Sequence, residues 1–292
     1  MSFTTKINIS LAEKLKEDLT NQGFTFTKPP YTLFSAKKKG VTCILYESGS
    51  LVVQGKEMDS FIEFYLEPEI LKTFHFSHPE THVDLTAHIG MDEAGKGDFF
   101  GPLCIAAVYA DEAGIKKMLE MKVRDSKKMT DDGIVKLAKM IKGSFQYTVI
   151  RLFPLKYNEL YGKFKNLNRL LGWAHASALG DLSAKSGCKE ALIDQFADKH
   201  VMENALAQKK ILDVNLAQKT KGEEDPVVAA ASILARAAFV EGIDSLSEEM
   251  GIELPKGANS KVKIAGQKVL AKFGKEGLIK VAKMHFKTAS EL

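Results

Sequence analysis

The run His88-Ile-Gly-Met-Asp-Glu-Ala-Gly-Lys-Gly-Asp-Phe-Phe-Gly-Pro102 carries more information than any other part of the 292-residue chain. Its first residues have the apolar pattern of a buried strand, and Asp92 and Glu93 stand where that strand should end. Adjacent carboxylates repel, and withdrawing them from water is costly unless a cation compensates. A hard divalent ion such as Mg2+ prefers that oxygen donor set. Gly95 and Gly97 bracket Lys96, and a backbone without Cβ atoms lets a ligand approach closely. An exposed polar turn kept tight by glycines reads the same way, so the surroundings must decide.

Around this stretch the pattern alternates. Residues 87–91 and 103–109 are predicted as buried strands, 116–121 and 131–142 as helices, and 145–153 as a further strand. Residues 168–186 and 226–250 read as long helices, 191–194 as a short buried strand end, and lysine-rich helices close the chain. This is a sheet flanked by helices, an arrangement in which sites gather at strand ends. The preceding residues have another style. Ser10-Leu-Ala-Glu13 has capping-box spacing, Leu11, Leu15 and Leu19 share a helical face, and Gly23 follows as a stop. After Pro29-Pro30, residues 31–37, 41–47 and 50–54 are predicted as short strands, and 58–66 as a second helix. The expected organisation is a small α+β module over 1–80, a polar linker over 75–84 and an α/β domain over 86–292.

Composition narrows the class. Hydrophobic residues make up 45% of the chain and charged ones 27%, the balance of a packed globule. No uninterrupted apolar run approaches the ~18 residues of a membrane span, and residues 1–10 lack a basic-then-apolar signal pattern. Cys43, Cys104 and Cys188 are scattered and odd in number, forming neither a disulfide framework nor a zinc cluster. A cytoplasmic protein with no membrane partner is the expectation. Charge is uneven: residues 1–80 hold 9 Lys against 10 acids, whereas 255–292 hold 9 Lys against Glu276 and Glu291. A lysine-rich tail suits an anionic partner, nucleic acid first, although a solvated amphipathic helix has the same composition. Lys37-Lys38-Lys39, with Tyr31 and Phe34 upstream, suits either a local nucleic-acid contact or a soluble hairpin tip.

Taken together, the motifs are far more specific than any one of them. Gly90-Met-Asp-Glu-Ala-Gly-Lys-Gly97 with Gly101-Pro102 resembles the first motif of the type 2 ribonucleases H. Arg124-Asp-Ser-Lys-Lys-Met-Thr130, Ala191-Leu-Ile-Asp194, and Lys221-Gly-Glu-Glu224 with Ala229-Ala-Ala-Ser-Ile-Leu-Ala-Arg236 resemble the later motifs, in the family's order. Gly95-Lys96-Gly97 followed by Asp98-Phe99-Phe100 is similar to the ribonuclease HIII subgroup, where HII has Gly-Arg-Gly. Thr220 to Glu223, Leu254-Pro-Lys-Gly-Ala-x-Ser260 and His285-Phe286 agree with that subgroup. So does an N-terminal module similar to the TATA-binding-protein fold, so that the resemblance spans essentially the whole chain.

The resemblance implies an α/β ribonuclease H-like catalytic domain, a mixed sheet flanked by helices, behind a small α+β substrate-binding domain. It implies endonucleolytic cleavage of the RNA strand of an RNA–DNA hybrid by two Mg2+ or Mn2+ ions. The implied acids are Asp92, Glu93, Asp194 and Glu223. Glu223 keeps the Lys-x-Glu register, and Glu224 beside it is the alternative; Asp98 and Asp125 are spare acids. Gly95, Lys96 and Gly97 would read the 2′-hydroxyl through main-chain atoms, and Ser126, Lys127 and Lys128 would clamp phosphates. Asn166 and Asn168 suit nucleic-acid contact or helix capping equally. Trp173 reads as a packed residue and His285 as a packed or phosphate-facing one rather than a catalytic group, and a monomer is expected. A metal-dependent nuclease with another substrate, or a non-catalytic nucleic-acid binder, are the competing readings.

Overall fold

In the computed structural model, which describes residues 2–74, 76, 77, 83–123 and 129–292, the chain divides into two units, Met1–Val83 and Asp84–Leu292.

The first unit is a five-stranded antiparallel sheet of β1 (Ser2–Lys6), β2 (Thr25–Thr27), β3 (Thr32–Lys38), β4 (Val41–Tyr46) and β5 (Ser50–Gln54), in the order β1-β5-β4-β3-β2. Alternation along β4 buries Val41, Cys43 and Leu45 on one face. Against them pack Leu15 and Leu19 of α1 (Ala12–Asn21), Met58 of α2 (Met58–Phe61), and Ile62, Leu66 and Ile70. The predicted helix over 58–66 needs correction: after one α turn the chain widens into a π-type helix, Ile62–Leu71, that contains Pro68. The Ser10–Glu13 capping box does not form either. Asn8, two residues upstream, accepts from Ser10 N at 3.0 Å and caps a 3-10 turn over Ile9–Leu11 ahead of α1.

The second unit is built on β6 (His88–Ala94), β7 (Leu103–Ala110), β8 (Gln146–Leu152), β9 (Glu190–Asp194) and β10 (Asn215–Lys219), ordered β10-β9-β6-β7-β8. β6 pairs antiparallel with β7, and β7 with β8, whereas β6, β9 and β10 run parallel. The helices are α3 (Glu112–Glu120), α4 (Asp131–Ser144), α5 (Pro154–Phe164), α6 (Leu167–Ser186), α7 (Lys199–Gln208), α8 (Pro226–Met250), α9 (Ser260–Val281) and α10 (Lys287–Ser290). Odd-numbered residues of β6, Ile89 and Met91, share a core with Leu170, Ala174 and Leu179 of α6. On the opposite face lies α8. A Cβ on Gly90 would stand 2.4 Å from the backbone of Val227 and Val228, so only glycine lets that helix come so close. Asp225 caps α8 by accepting from Val227 N and Val228 N, and Pro226 opens it.

α8 is long and apolar enough in composition to cross a bilayer, yet 83% of its most apolar window is buried within the protein. The pattern did not foretell β1, β2, α5, α7 or β10. The linker positions 75 and 78–82, and Arg124, Asp125, Ser126, Lys127 and Lys128, lie outside the described residues.

Candidate active site

Strand β6 runs on to Ala94, so Asp92 and Glu93 lie within its last residues rather than following it. Successive side chains of a strand point to opposite faces, and the two acids accordingly meet different partners. Asp92 turns toward α8, where the Ser232 hydroxyl bonds its carboxylate, and Asp92 Oδ1 also accepts from Glu93 N at 2.8 Å. Burial, and then the neighbouring Glu93 charge, push Asp92 up to about 6. Glu93 turns toward α6. Burial raises its carboxyl too, but the hydrogen bond and charge of His175, with Lys96, outweigh that and hold it below the ordinary value.

His175 is fully buried, with Nε2 3.1 Å from Glu93 Oε2, and its ring stacks on Phe196 at 5.1 Å. Its Nδ1 has no hydrogen-bond partner among the described residues. Lys96 reaches the other oxygen, Oε1, at 3.6 Å, and lies over the Phe196 ring.

Parallel pairing sets Met91 opposite Ile193, which brings Asp194, at the end of β9, level with Asp92 and on the same face. Asp194 Oδ1 accepts from Gly222 N at 2.7 Å. A Cβ on Gly222 would stand 2.9 Å from Asp194 Cα, so the glycine lets the 3-10 turn Gly222–Glu224 close over the strand end. Glu223 in that turn is partly buried, whereas Glu224 is exposed and pairs loosely with Lys221 at 3.7 Å. The four acids therefore come from one end of three parallel strands. Among the described residues, no three His, Cys, Asp or Glu side chains already close around a point that would hold a metal ion.

The Gly95–Gly97 turn lies directly beyond the first two acids. Gly95 is buried at φ +85°, and a Cβ there would come within 2.2 Å of Pro102 O. Gly97 differs: it is exposed, and a Cβ would meet nothing in the chain within 4 Å. Asn166 is the N-cap of α6, its side chain accepting from Arg169 N at 3.1 Å, and Asn168 is exposed in the first turn. Asp98 is engaged by Gly257 N at 2.6 Å. Trp173 packs against the α6 core under Lys209, and His285 stacks on Tyr161 at 4.4 Å.

The family described as Ribonuclease HII matches residues 89–289. Ribonuclease HIII of Protochlamydia amoebophila (strain UWE25) is 55% identical over 286 residues, covering 98% of this chain and 95% of its own. The chain belongs to the ribonuclease HII family, in its HIII branch. Ribonuclease HIII of Chlamydia pneumoniae is 50% identical over 292 residues, covering 99% and 97%. Among solved structures, Bst-RNase HIII in complex with Mn2+ superposes with a TM-score of 0.69 at 26% identity, over 100% of this chain and 97% of that one. Aquifex aeolicus RNase H3 gives 0.59 at 27%, over 98% and 100%. Residues 2–77 match a domain family of unknown function (DUF3378).

In this ribonuclease H, motif reading singled out four candidate acids and the turn but not the groups that surround them. His175 and Ser232 sit inside long helices with no motif of their own, and only the sheet order brings them to β6. Asp225 belongs to none of the motifs. It caps α8 and meets His88 Nε2 at 3.1 Å, tying the start of β6 to the loop that carries Glu223.

Proposed function

We propose that this ribonuclease H cuts the RNA strand of RNA–DNA hybrids endonucleolytically, using two Mg2+ or Mn2+ ions held by Asp92, Glu93, Asp194 and Glu223. The observation that carries the reading is the half-buried pair Asp92 and Glu93, level with Asp194, at the mouth of an open glycine turn. A cation among these carboxylates would cancel the repulsion that raises Asp92. Bound there, such ions would supply a nucleophile from water and charge stabilisation for the departing 3′-oxygen, consistent with 5′-phosphate and 3′-hydroxyl ends. A solved relative, Bst-RNase HIII, carries Mn2+.

The chain's own groups do the positioning. Ser232 and the Glu93 amide orient Asp92, His175 and Lys96 orient Glu93, and the Gly222 amide orients Asp194. Because Lys96 is drawn back over Glu93 and Phe196, the turn offers main-chain atoms to a sugar. Gly95 answers a steric need inside the protein, whereas nothing inside the protein requires Gly97. Room in front of Gly97 suits a ribose whose 2′-hydroxyl both donates and accepts. Ser126, Lys127 and Lys128 supply phosphate contacts in this reading, and the Met1–Val83 unit a second hold on the duplex. The enzyme acts as a cytoplasmic monomer.

Labelled RNA–DNA hybrid, RNA–RNA and DNA–DNA duplexes of one sequence, each with Mg2+ or Mn2+, test the proposal. Cleavage confined to the RNA strand of the hybrid is expected, and equal cutting of the DNA duplex would overturn it. The fourth ligand is tested by pairing Glu223→Gln with Glu224→Gln. The partly buried Glu223 should cost at least about tenfold in kcat, roughly 1.4 kcal/mol, and the exposed Glu224 less than about twofold. The reverse ranking would transfer the role to Glu224. Removing residues 1–83 should raise KM for the hybrid more than it lowers kcat, since all four acids lie beyond the cut. Unchanged KM in a folded truncation would give that unit another task.

A further inference from the structure

Lys283 follows α9 in a short extended stretch and has no exposed surface. Its Nζ donates to three main-chain carbonyls, Asp98 O at 2.8 Å, Phe100 O at 3.2 Å and Gly101 O at 2.7 Å. An ammonium has three donors and no acceptor, so the three carbonyls complete its shell. The Tyr157 ring lies 5.8 Å from the nitrogen. The other titratable groups facing it are the Asp98 carboxylate, the Cys104 thiol and His285. Burial pulls the ammonium down to about 7, with Asp98 and Cys104 opposing. A methionine or leucine would fill this space without taking a charge out of water, so packing alone does not account for a lysine here.

We propose that Lys283 is a positioning residue for the Gly95–Gly97 turn, its ammonium gathering the carbonyls of Asp98, Phe100 and Gly101 so that the turn is held beside Asp92 and Glu93. Carbonyl dipoles aimed at one point repel one another unless a cation sits among them. The clamp is continuous with the turn, because Asp98 N closes it on Gly95 O at 3.4 Å. On the far side the clamp is anchored. Lys283 N donates to Phe99 O at 2.8 Å and Gly101 N to Val281 O at 3.0 Å. Asn158 of α5 bonds Ile279 O, Ala282 O and Met284 N, which locks residues 279–284. A sugar read by main-chain atoms is read only as well as those atoms are fixed. The inference rests on the reading of Gly95–Gly97 as the ribose reader.

The test uses the full chain with Ca2+ in place of Mg2+ and Mn2+, and measures binding of labelled hybrid and of DNA duplex of the same sequence. The readout is the ratio of the two dissociation constants, which a change in the folded fraction cannot move. Lys283→Met should lower the preference for hybrid at least tenfold. Asn158→Ala, which loosens the anchor without touching the clamp, should lower it about threefold. Lys287→Met, removing a nearby charge whose side chain is 90% exposed, should leave it unchanged. An unaltered ratio in folded Lys283→Met overturns the proposal. If that variant does not fold, an unaltered ratio in Asn158→Ala does so. A wild-type protein that binds hybrid and DNA duplex equally would instead remove the ribose-reading turn, and the clamp's role with it.

Discussion

Asp92→Asn is expected to lower hybrid cleavage by at least two orders of magnitude while leaving the protein folded and able to bind. Removing one ligand charge from an ion that supplies several kcal/mol to the transition state costs about 2.7 kcal/mol for each hundredfold. The fold should tolerate the change, because an asparagine keeps both local bonds. Its carbonyl can accept from Glu93 N, and its amide can donate to Ser232 Oγ. Stability should even rise in metal-free buffer at pH 8. The Asp92 carboxyl stands at about 6 against an ordinary 3.8. Its charged form is therefore disfavoured by folding at any pH above about 6, and the penalty disappears only below the ordinary value. Relieving it is worth on the order of 1–3 kcal/mol. Single-turnover cleavage and thermal unfolding of the variant check both halves. Activity within threefold of wild type at saturating Mg2+ would remove Asp92 from the site, and a large drop in Tm would contradict the electrostatic account.

Gly90→Ala should destabilise the second unit well beyond an ordinary surface substitution. The new Cβ would stand 2.4 Å from Val227 C and Val228 N and 2.7 Å from Val227 O, all backbone atoms of the first turn of α8. No rotamer can relieve such a contact, so either α8 or β6 must move. Overpacking of this kind costs about 1–3 kcal/mol or more, which for a domain of this size lowers Tm by roughly 2–10 °C. Activity should fall beyond the loss of folded protein, since the displaced helix carries Ser232 and follows the Glu223 turn. Differential scanning fluorimetry with active-site titration measures both. A Tm within 1 °C of wild type would show that the two elements have slack.

Asp92, Glu93 and the glycine turn were legible because they are local, whereas Asp194 and Glu223 were indicated only by the family resemblance. A strand-like apolar run ending in paired carboxylates is written into one short stretch of consecutive residues, and Asn166 offers a helix start in the same way. Helices α4, α6 and α8 followed from periodicity that their own side chains satisfy. β1 and β10 escaped notice for the opposite reason. Both alternate between exposed and partly buried residues with no buried apolar position, and they become strands through backbone bonds to β5 and β9. The capping box failed because a competing acceptor, Asn8, stood two residues upstream.

What the amino-acid order determined by itself is therefore the chemistry on offer: a strand that ends in paired carboxylates, a glycine turn beside them, and several of the helices and strands around them. Only the tertiary structure decided how that chemistry is arranged. It set Asp92 and Glu93 against different helices, so that burial and the Glu93 charge push the Asp92 carboxyl up while the buried His175 holds the Glu93 carboxyl down. It also carried Lys283 to the back of a turn that lies far earlier in the chain. Periodicity and residue type report on a side chain's immediate neighbours along the backbone. Partners separated by whole elements are chosen by strand order and helix packing, which depend on the summed burial of the chain and on no single stretch of it.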